Sequence, residues 1–154
     1  MKFTKQNLYL PTKFVVFANE RPGAMKFLVE ILHEIMIKNN GIGLAANQLG
    51  IRKSCFVMNI DGRKFNVFNP VITAFSKEEC IIKEGCLSFP KSYIEISRPK
   101  EIHVCYQDEL KAIHQENLDG MAARCFQHEY DHLQGITMFQ RYQANNILAQ
   151  QEVL

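Results

Sequence analysis

The stretch Phe126–Gly135 reads FQHEYDHLQG, and within it His128-Glu129-Tyr130-Asp131-His132 forms the pattern H-E-x-x-H. Two histidines four residues apart project from the same side of an α-helix, one turn apart, so both reach a single metal ion. The glutamate beside the first histidine stands where a base works on a metal-activated water. Asp119 is placed to cap the start of such a helix, and Gly135 lies just past its end, where a left-handed residue is favoured. A helix is therefore expected over Asp119–Gln134. Along it Met121, Cys125, His128 and His132 follow at spacings of four, three and four, a face that is apolar first and carries imidazoles last. That face is expected to point inward.

The chain has 154 residues, 47% apolar and 22% charged, an ordinary balance for a globular protein with one core. Residues 1–154 are accordingly expected to form a single domain. A net charge of +2 is too small to argue for nucleic acid or an anionic membrane. No apolar run approaches bilayer length, and the N-terminal MKFTKQNLYLP lacks the apolar core and small-residue cleavage site of a signal peptide. Five cysteines, at 55, 80, 86, 105 and 125, are an odd number without close paired spacing, which favours reduced thiols in a cytoplasm-like compartment.

Upstream, Phe14–Phe17 is expected as a short strand before the breaker Arg21-Pro22-Gly23. Leu28, Ile31, Leu32, Ile35 and Met36 recur at three and four, predicting an amphipathic helix over Ala24–Asn39 that Asn39-Asn40-Gly41 terminates. His33 within it reads as a satisfied or surface histidine. Gly41–Gln48 (GIGLAANQ) lacks the third glycine or the lysine-serine pair of a phosphate loop. It remains either a tight turn into small-residue packing or a backbone that approaches a ligand, with Gln48 facing it. Cys55–Ile60 and Phe65–Phe68 flank Asp61-Gly62, a hairpin signal. Further strands are expected at Val71–Phe75, Cys80–Lys83 and Ile94–Ile96, with Glu84–Pro90 as a loop. Ile102–Tyr106 and Ala112–Glu116 are expected to pair across a turn at Gln107–Leu110. Gln143–Leu154 reads as a short, partly frayed helical tail.

A hydrolytic metal site wants three protein ligands and an open position. A histidine at 138 would complete the H-E-x-x-H-x-x-G-x-x-H protease pattern, but Met138 stands there. The remaining candidates are His33, His103, His114, Glu152 and the cysteines. Cys86 is distinguished by its glycine-flanked loop, which could bend to deliver a thiolate, although residue chemistry alone does not single it out.

Three segments in order, Gly41–Gln48, Glu84–Ser88 and Gln127–His132, carry G-x-G-L-A-A-x-Q, E-G-C-L-S and Q-H-E-x-D-H. In these the chain resembles the peptide deformylases, and Ala123-Arg124, Leu133 and Gly135 fit the same pattern; the likeness spans roughly Lys26–Tyr142. The resemblance implies an α+β fold with small antiparallel sheets packed around the helix carrying the H-E-x-x-H motif, preceded by the N-terminal amphipathic helix. It implies Cys86, His128 and His132 as metal ligands, Glu129 as general base and acid, and Gln48 with the Leu87 N–H as oxyanion hole. The implied reaction is hydrolysis of the N-terminal formyl group of formylmethionyl nascent peptides by a metal-activated water, releasing formate. Ile42, Met121, Cys125 and His128 would surround the methionine side chain, with Gly43 and Phe89 along the peptide backbone. Glu84 and Arg98 would form a supporting ion pair, with Asp131 a nearby acceptor.

Ligand softness alone points to zinc. The resemblance implies one ferrous ion per chain, replaceable by nickel, cobalt or zinc. It also implies a cytoplasmic monomer that meets the ribosome transiently and has no nucleic-acid or membrane site of its own. Two departures stand out. The familiar arginine-leucine and alanine-x-proline-valine stretch before the first helix is missing, and the tail after the histidine helix, about 143–154, is short. The competing readings are a small zinc metallopeptidase and a catalytically dead binding module. Met138 speaks against the first, and the retained Gln48, Glu129 and Cys/His₂ set against the second.

Overall fold

In the computed structural model, which describes residues 2–5 and 7–151, the histidine helix lies against one face of an antiparallel sheet and a second helix covers the other. The strands are β1 (Gly43–Ala45), β2 (Cys55–Ile60), β3 (Arg63–Phe75), β4 (Glu79–Cys86), β5 (Phe89–Pro99), β6 (Ile102–Gln107) and β7 (Ile113–Leu118). The helices are α1 (Ala24–Lys38), α2 (Gly120–Leu133) and α3 (Met138–Gln151). Five strands pair in the order β1-β2-β3-β6-β7, and β4-β5 form a separate hairpin, every pairing antiparallel. This is the expected α+β arrangement.

Strand β2 explains how the layers meet. Its side chains alternate between two cores: Cys55 and Val57 join α1 residues Leu28, Leu32 and Met36, while Phe56 and Met58 join α2 residues Ala123 and Phe126. Both faces are covered, so Cys55–Met58 is apolar throughout and shows no polar alternation. Phe126 is fully buried, edge-on to Phe56 at 4.9 Å between ring centroids. The β2–β3 turn has positive φ at Asp61 (51°) and Gly62 (86°), with Ile60 opposite Arg63, as the primed-turn signal predicts.

Several expectations are corrected. Phe14–Phe17 is not a strand: Val15 has its N–H and C=O taken by the Asn69 side chain (2.8 and 2.9 Å), and Phe17–Asn19 is a 3-10 turn. The expected break between Phe68 and Val71 is a bulge inside β3, where Asn69 adopts φ 50° and Pro70 has no ladder N–H to lose. The expected loop Glu84–Pro90 largely belongs to the hairpin, since Glu84 opposes Ile94, Gly85 opposes Tyr93 and Cys86 opposes Phe89 across a register shift. Pro90 and Lys91 fall in that irregular stretch, which hides the strand from a pattern reading. The β6–β7 turn lies one or two residues later than expected, because the Asp108 carboxylate accepts the N–H groups of Leu110 (2.8 Å) and Ala112 (2.9 Å).

Helix α2 occupies the expected span, but the Asp119 side chain makes no cap bond. Gly135 follows it at φ 77°, and a side chain there would press on the backbone of Tyr9 and Leu10 at 2.9 Å. The tail is a docked helix that starts at Met138 rather than Gln143. Asn145 donates to the Ser97 carbonyl (2.8 Å), and the Phe139 and Phe89 rings meet edge-on at 5.0 Å. The last residues of the expected helical tail, 152–154, lie outside the described residues.

Because Phe126 joins α2 to the sheet, Phe126→Ala should lower unfolding free energy by about 3–5 kcal/mol through lost burial and the cavity left behind. Urea titration followed by circular dichroism checks this; an unchanged midpoint would show that α2 is not anchored through this ring.

Candidate metal centre

Helix α2 turns His128 and His132 inward, their rings 4.9 Å apart and both buried. The end of strand β4 brings Cys86 to meet them, its Sγ 3.3 Å from His132 Nε2. One donor atom from each of the three residues lies within 4.8 Å of the others, and no other such group forms among the described residues. The third-ligand alternatives lie elsewhere. His33 Nε2 meets Asn66 Oδ1 (2.7 Å), His103 meets Thr73, and His114 meets Asp108 (2.8 Å). Burial pushes the Cys55 thiol up to about 12 and the Cys125 thiol well above its ordinary value, so both stay protonated. Glu152 lies outside the described residues.

Beneath the histidines sits a buried ionic cluster centred on Glu84. Its Oε1 accepts from Arg98 Nε (2.6 Å) and Arg124 Nη1 (2.8 Å). Its Oε2 meets Arg98 Nη2 (3.0 Å) and His128 Nδ1 (2.9 Å). Arg98 also donates through Nη1 to Asp131 Oδ2 (2.7 Å), and Arg141 closes on the same carboxylate. Burial alone would raise the Glu84 carboxyl, but His128 and Arg98 outweigh it and hold the group well below the ordinary carboxylate range. The bond at Nδ1 orients the His128 ring and leaves Nε2 for the shared space.

The second side of the centre comes from Gly41–Leu49. The Ala45 N–H donates to Gln48 Oε1 (2.9 Å), which fixes the amide orientation. Gln48 Nε2 therefore faces Ser88 Oγ (2.9 Å) and Cys86 Sγ (3.6 Å). Gly43 passes so close to α2 that a methyl group on it would collide with the Glu129 carboxylate and come within 2.7 Å of Cys125 Sγ. The glycine-rich segment is thus strand β1 lying close against α2, followed by a 3-10 turn over Ala46–Leu49. Cys125 donates to the Ile42 carbonyl at 3.7 Å.

These elements enclose a cleft of about 630 Å³. Gln48, Cys86, Leu87, His128 and Glu129 line it, together with Ile42, Gly43, Phe89, Met121 and Cys125; Ile42 and Met121 are about half exposed. Glu84 also borders it, whereas His132 and Arg98 lie behind. Of the metal, catalytic and substrate-lining residues that the resemblance implies, all but His132 border this cleft. Two contributors were missed. Asn47 is fully buried and donates to the His132 carbonyl (2.6 Å), and Arg124 reaches Glu84 from one turn before His128. A charged side chain four residues before His128, on the inward side, was the available signal for Arg124.

The residues fit a divalent transition-metal ion. A thiol and two imidazoles are a borderline-soft donor set. Burial pushes His132 well below its ordinary value, so it stays neutral with a lone pair to offer. Burial also disfavours charge on His128, but Cys86 and Glu84 override it and lift the group to about 10. Metal uptake there would release a proton. Burial pushes the Glu129 carboxyl up to about 7 against the opposing pull of His128, and its Oε2 is buried with no hydrogen-bond partner among the described residues. A carboxyl in that range gives and takes protons near neutrality.

A family model described as polypeptide deformylase matches residues 2–147. A curated peptide deformylase of Thermotoga neapolitana is 43% identical over 118 residues, spanning 77% of this chain and 72% of its own. The crystal structure of peptide deformylase from Thermotoga maritima superposes with a TM-score of 0.86 at 36% identity, covering 92% of this chain and 97% of its own. A class I type b peptide deformylase from Acinetobacter baumannii, solved with Met-Ala-Ser bound, superposes at 0.85 with 29% identity over 91% of this chain and 94% of its own.

The ionic cluster makes a stability prediction. A carboxyl held below its ordinary value of 4.5 stabilises the fold fully above that pH and loses the contribution progressively as pH falls from there to its lowered value. Glu84→Gln should cost about 3–5 kcal/mol at neutral pH, because two guanidinium groups lose their counter-charge. It should also flatten the acid limb of the stability curve. Urea unfolding at neutral and acid pH checks this; parallel acid limbs for both proteins would contradict it.

Proposed function

The chain belongs to the peptide deformylase family, and from that membership we propose that it removes the N-terminal formyl group from formylmethionyl nascent peptides. The observation that carries the reading is the convergence of Cys86, His128 and His132 on one point beside the buried carboxyl of Glu129 and the oriented amide of Gln48.

Cys86, His128 and His132 would hold the metal, which supplies Lewis acidity and makes water reactive at neutral pH. Ile42, Met121, Cys125 and the His128 ring receive the methionine side chain, an unbranched thioether suited to an adaptable apolar pocket. The Met-Ala-Ser complex of the Acinetobacter baumannii relative supports a peptide in this cleft. The peptide backbone runs past Gly43 and Phe89. Glu129 takes a proton from the attacking water, and addition to the formyl carbon places negative charge on its oxygen. Gln48 Nε2 and the Leu87 N–H donate to that oxygen. Glu129 then returns the proton to the departing amine, and formate leaves. Arg98 and Glu84 hold His128 in orientation throughout, with Asp131 anchoring Arg98 from the far side.

The ion in the cell is read as ferrous iron, one per chain, with nickel, cobalt or zinc able to take its place. The chain is read as a single catalytic domain acting as a cytoplasmic monomer that meets nascent chains at the ribosome. Among the described residues no helix is long and apolar enough to cross a membrane.

Formate release from formyl-Met-Ala-Ser tests the reading, with protein purified anaerobically and loaded with Fe²⁺ or Ni²⁺. The parent should release formate, and Glu129→Ala should lose about 10²–10⁴ in rate. No release by folded, metal-loaded parent would refute the function. In the same assay Gln48→Ala should lower kcat by about 10²–10³ with metal content unchanged. A full rate in that variant would remove Gln48 from the oxyanion site.

A further inference from the structure

The three metal donors come from two separate pieces of chain, helix α2 and the β4–β5 hairpin, so something must hold the hairpin in register with the helix. We propose that Arg124 is a positioning residue for the metal centre, acting through Glu84 to hold Cys86 opposite His128 and His132; the inference rests on the metal-centre reading above.

Arg124 is rooted on α2 and is only 4% exposed. Its guanidinium crosses to three points of the hairpin. Nη1 donates to Glu84 Oε1 (2.8 Å) and the Ile96 carbonyl (2.9 Å), while Nη2 donates to the Cys80 carbonyl (2.6 Å) and lies 3.2 Å from Cys80 Sγ. The planar fork serves acceptors on both strands at once, which a lysine ammonium on a flexible stem does not reproduce. Arg98 belongs to β5, so its bonds to Glu84 stay within the hairpin, and its link to α2 runs to Asp131, between the two histidines. Arg124 supplies the corresponding cross-link on the N-terminal side of His128.

Strand β4 carries the effect to the metal: Glu84 and Cys86, two residues apart, both reach α2, with Cys86 Sγ 3.3 Å from His132 Nε2. Glu84 also accepts from His128 Nδ1. A shift of Glu84 therefore moves the thiol and turns the imidazole together.

Metal release read without substrate tests this. Protein loaded with Co²⁺ is mixed with excess chelator, and loss of the thiolate–cobalt absorption gives the release rate. Arg124→Met should release metal about 10–100-fold faster than the parent, the range typical when a partner that orients a metal ligand is removed. Glu84→Gln should also accelerate release. If Arg124 works through Glu84, adding Arg124→Met to Glu84→Gln should accelerate it little further. Arg124→Lys keeps the charge but loses the fork; it should release fast too, and it serves if the methionine variant does not fold. Release at the parent's rate by either folded Arg124 variant would overturn the inference. So would a full additional acceleration in the double variant, which would mean a general structural role. A parent that takes up no cobalt would instead refute the metal-centre reading, and this inference with it.

Discussion

A carboxylate buried among cations is the constraint around which this molecule is arranged. Glu84 is almost fully buried, and bare ionised carboxylates do not survive in such a place. It is tolerated because Arg98, Arg124 and His128 donate to both of its oxygens. Each partner comes from a different position on the hairpin or α2, so satisfying the charge also fixes how those two elements sit. Asp131 extends the arrangement, drawing in Arg98 from the hairpin and Arg141 from α3. Such a cluster is a poor source of net stability compared with apolar packing. What it contributes here is the fixed placement of the side chains above it.

Apolar layers do the complementary work. The sheet is clamped between α1 and α2, with β2 contributing to both cores. Against that platform α2 is held so that His128 lines the cleft and His132 meets Cys86 behind it. The same packing removes water from Glu129 and lifts its carboxyl to about 7, which a solvated glutamate would not reach. Gly43 is part of this arrangement, because only a residue without a side chain lets the backbone lie against Glu129 and Cys125. Packing and chemistry meet at that residue.

Much of this was legible in the residues themselves. The histidine helix, helix α1 and the Asp61-Gly62 hairpin follow from local periodicity and turn chemistry, which depend on near neighbours in sequence. The three ordered motifs located the cleft and its lining. What escaped depends on distant partners. Val15 resembles strand but spends its backbone groups on the Asn69 side chain, which no local pattern encodes. The hairpin runs through Glu84–Pro90 because of pairing across a register shift, although glycine, serine and proline there suggest a loop. Helix α3 begins at Met138 because Phe139 and Asn145 dock on β5. Arg124 fits the motif pattern, but its role depends on acceptors at Cys80, Glu84 and Ile96 that are distant in sequence.

The central claim is that the fold brings Cys86, His128 and His132 together as one metal site supported by Glu84. Anomalous diffraction from crystals of the metal-loaded protein, collected at the absorption edge of that metal, tests it most directly. The account predicts a single peak bounded by Cys86 Sγ and by Nε2 of His128 and His132. A peak elsewhere, or stoichiometric metal with no peak at that position, would contradict it.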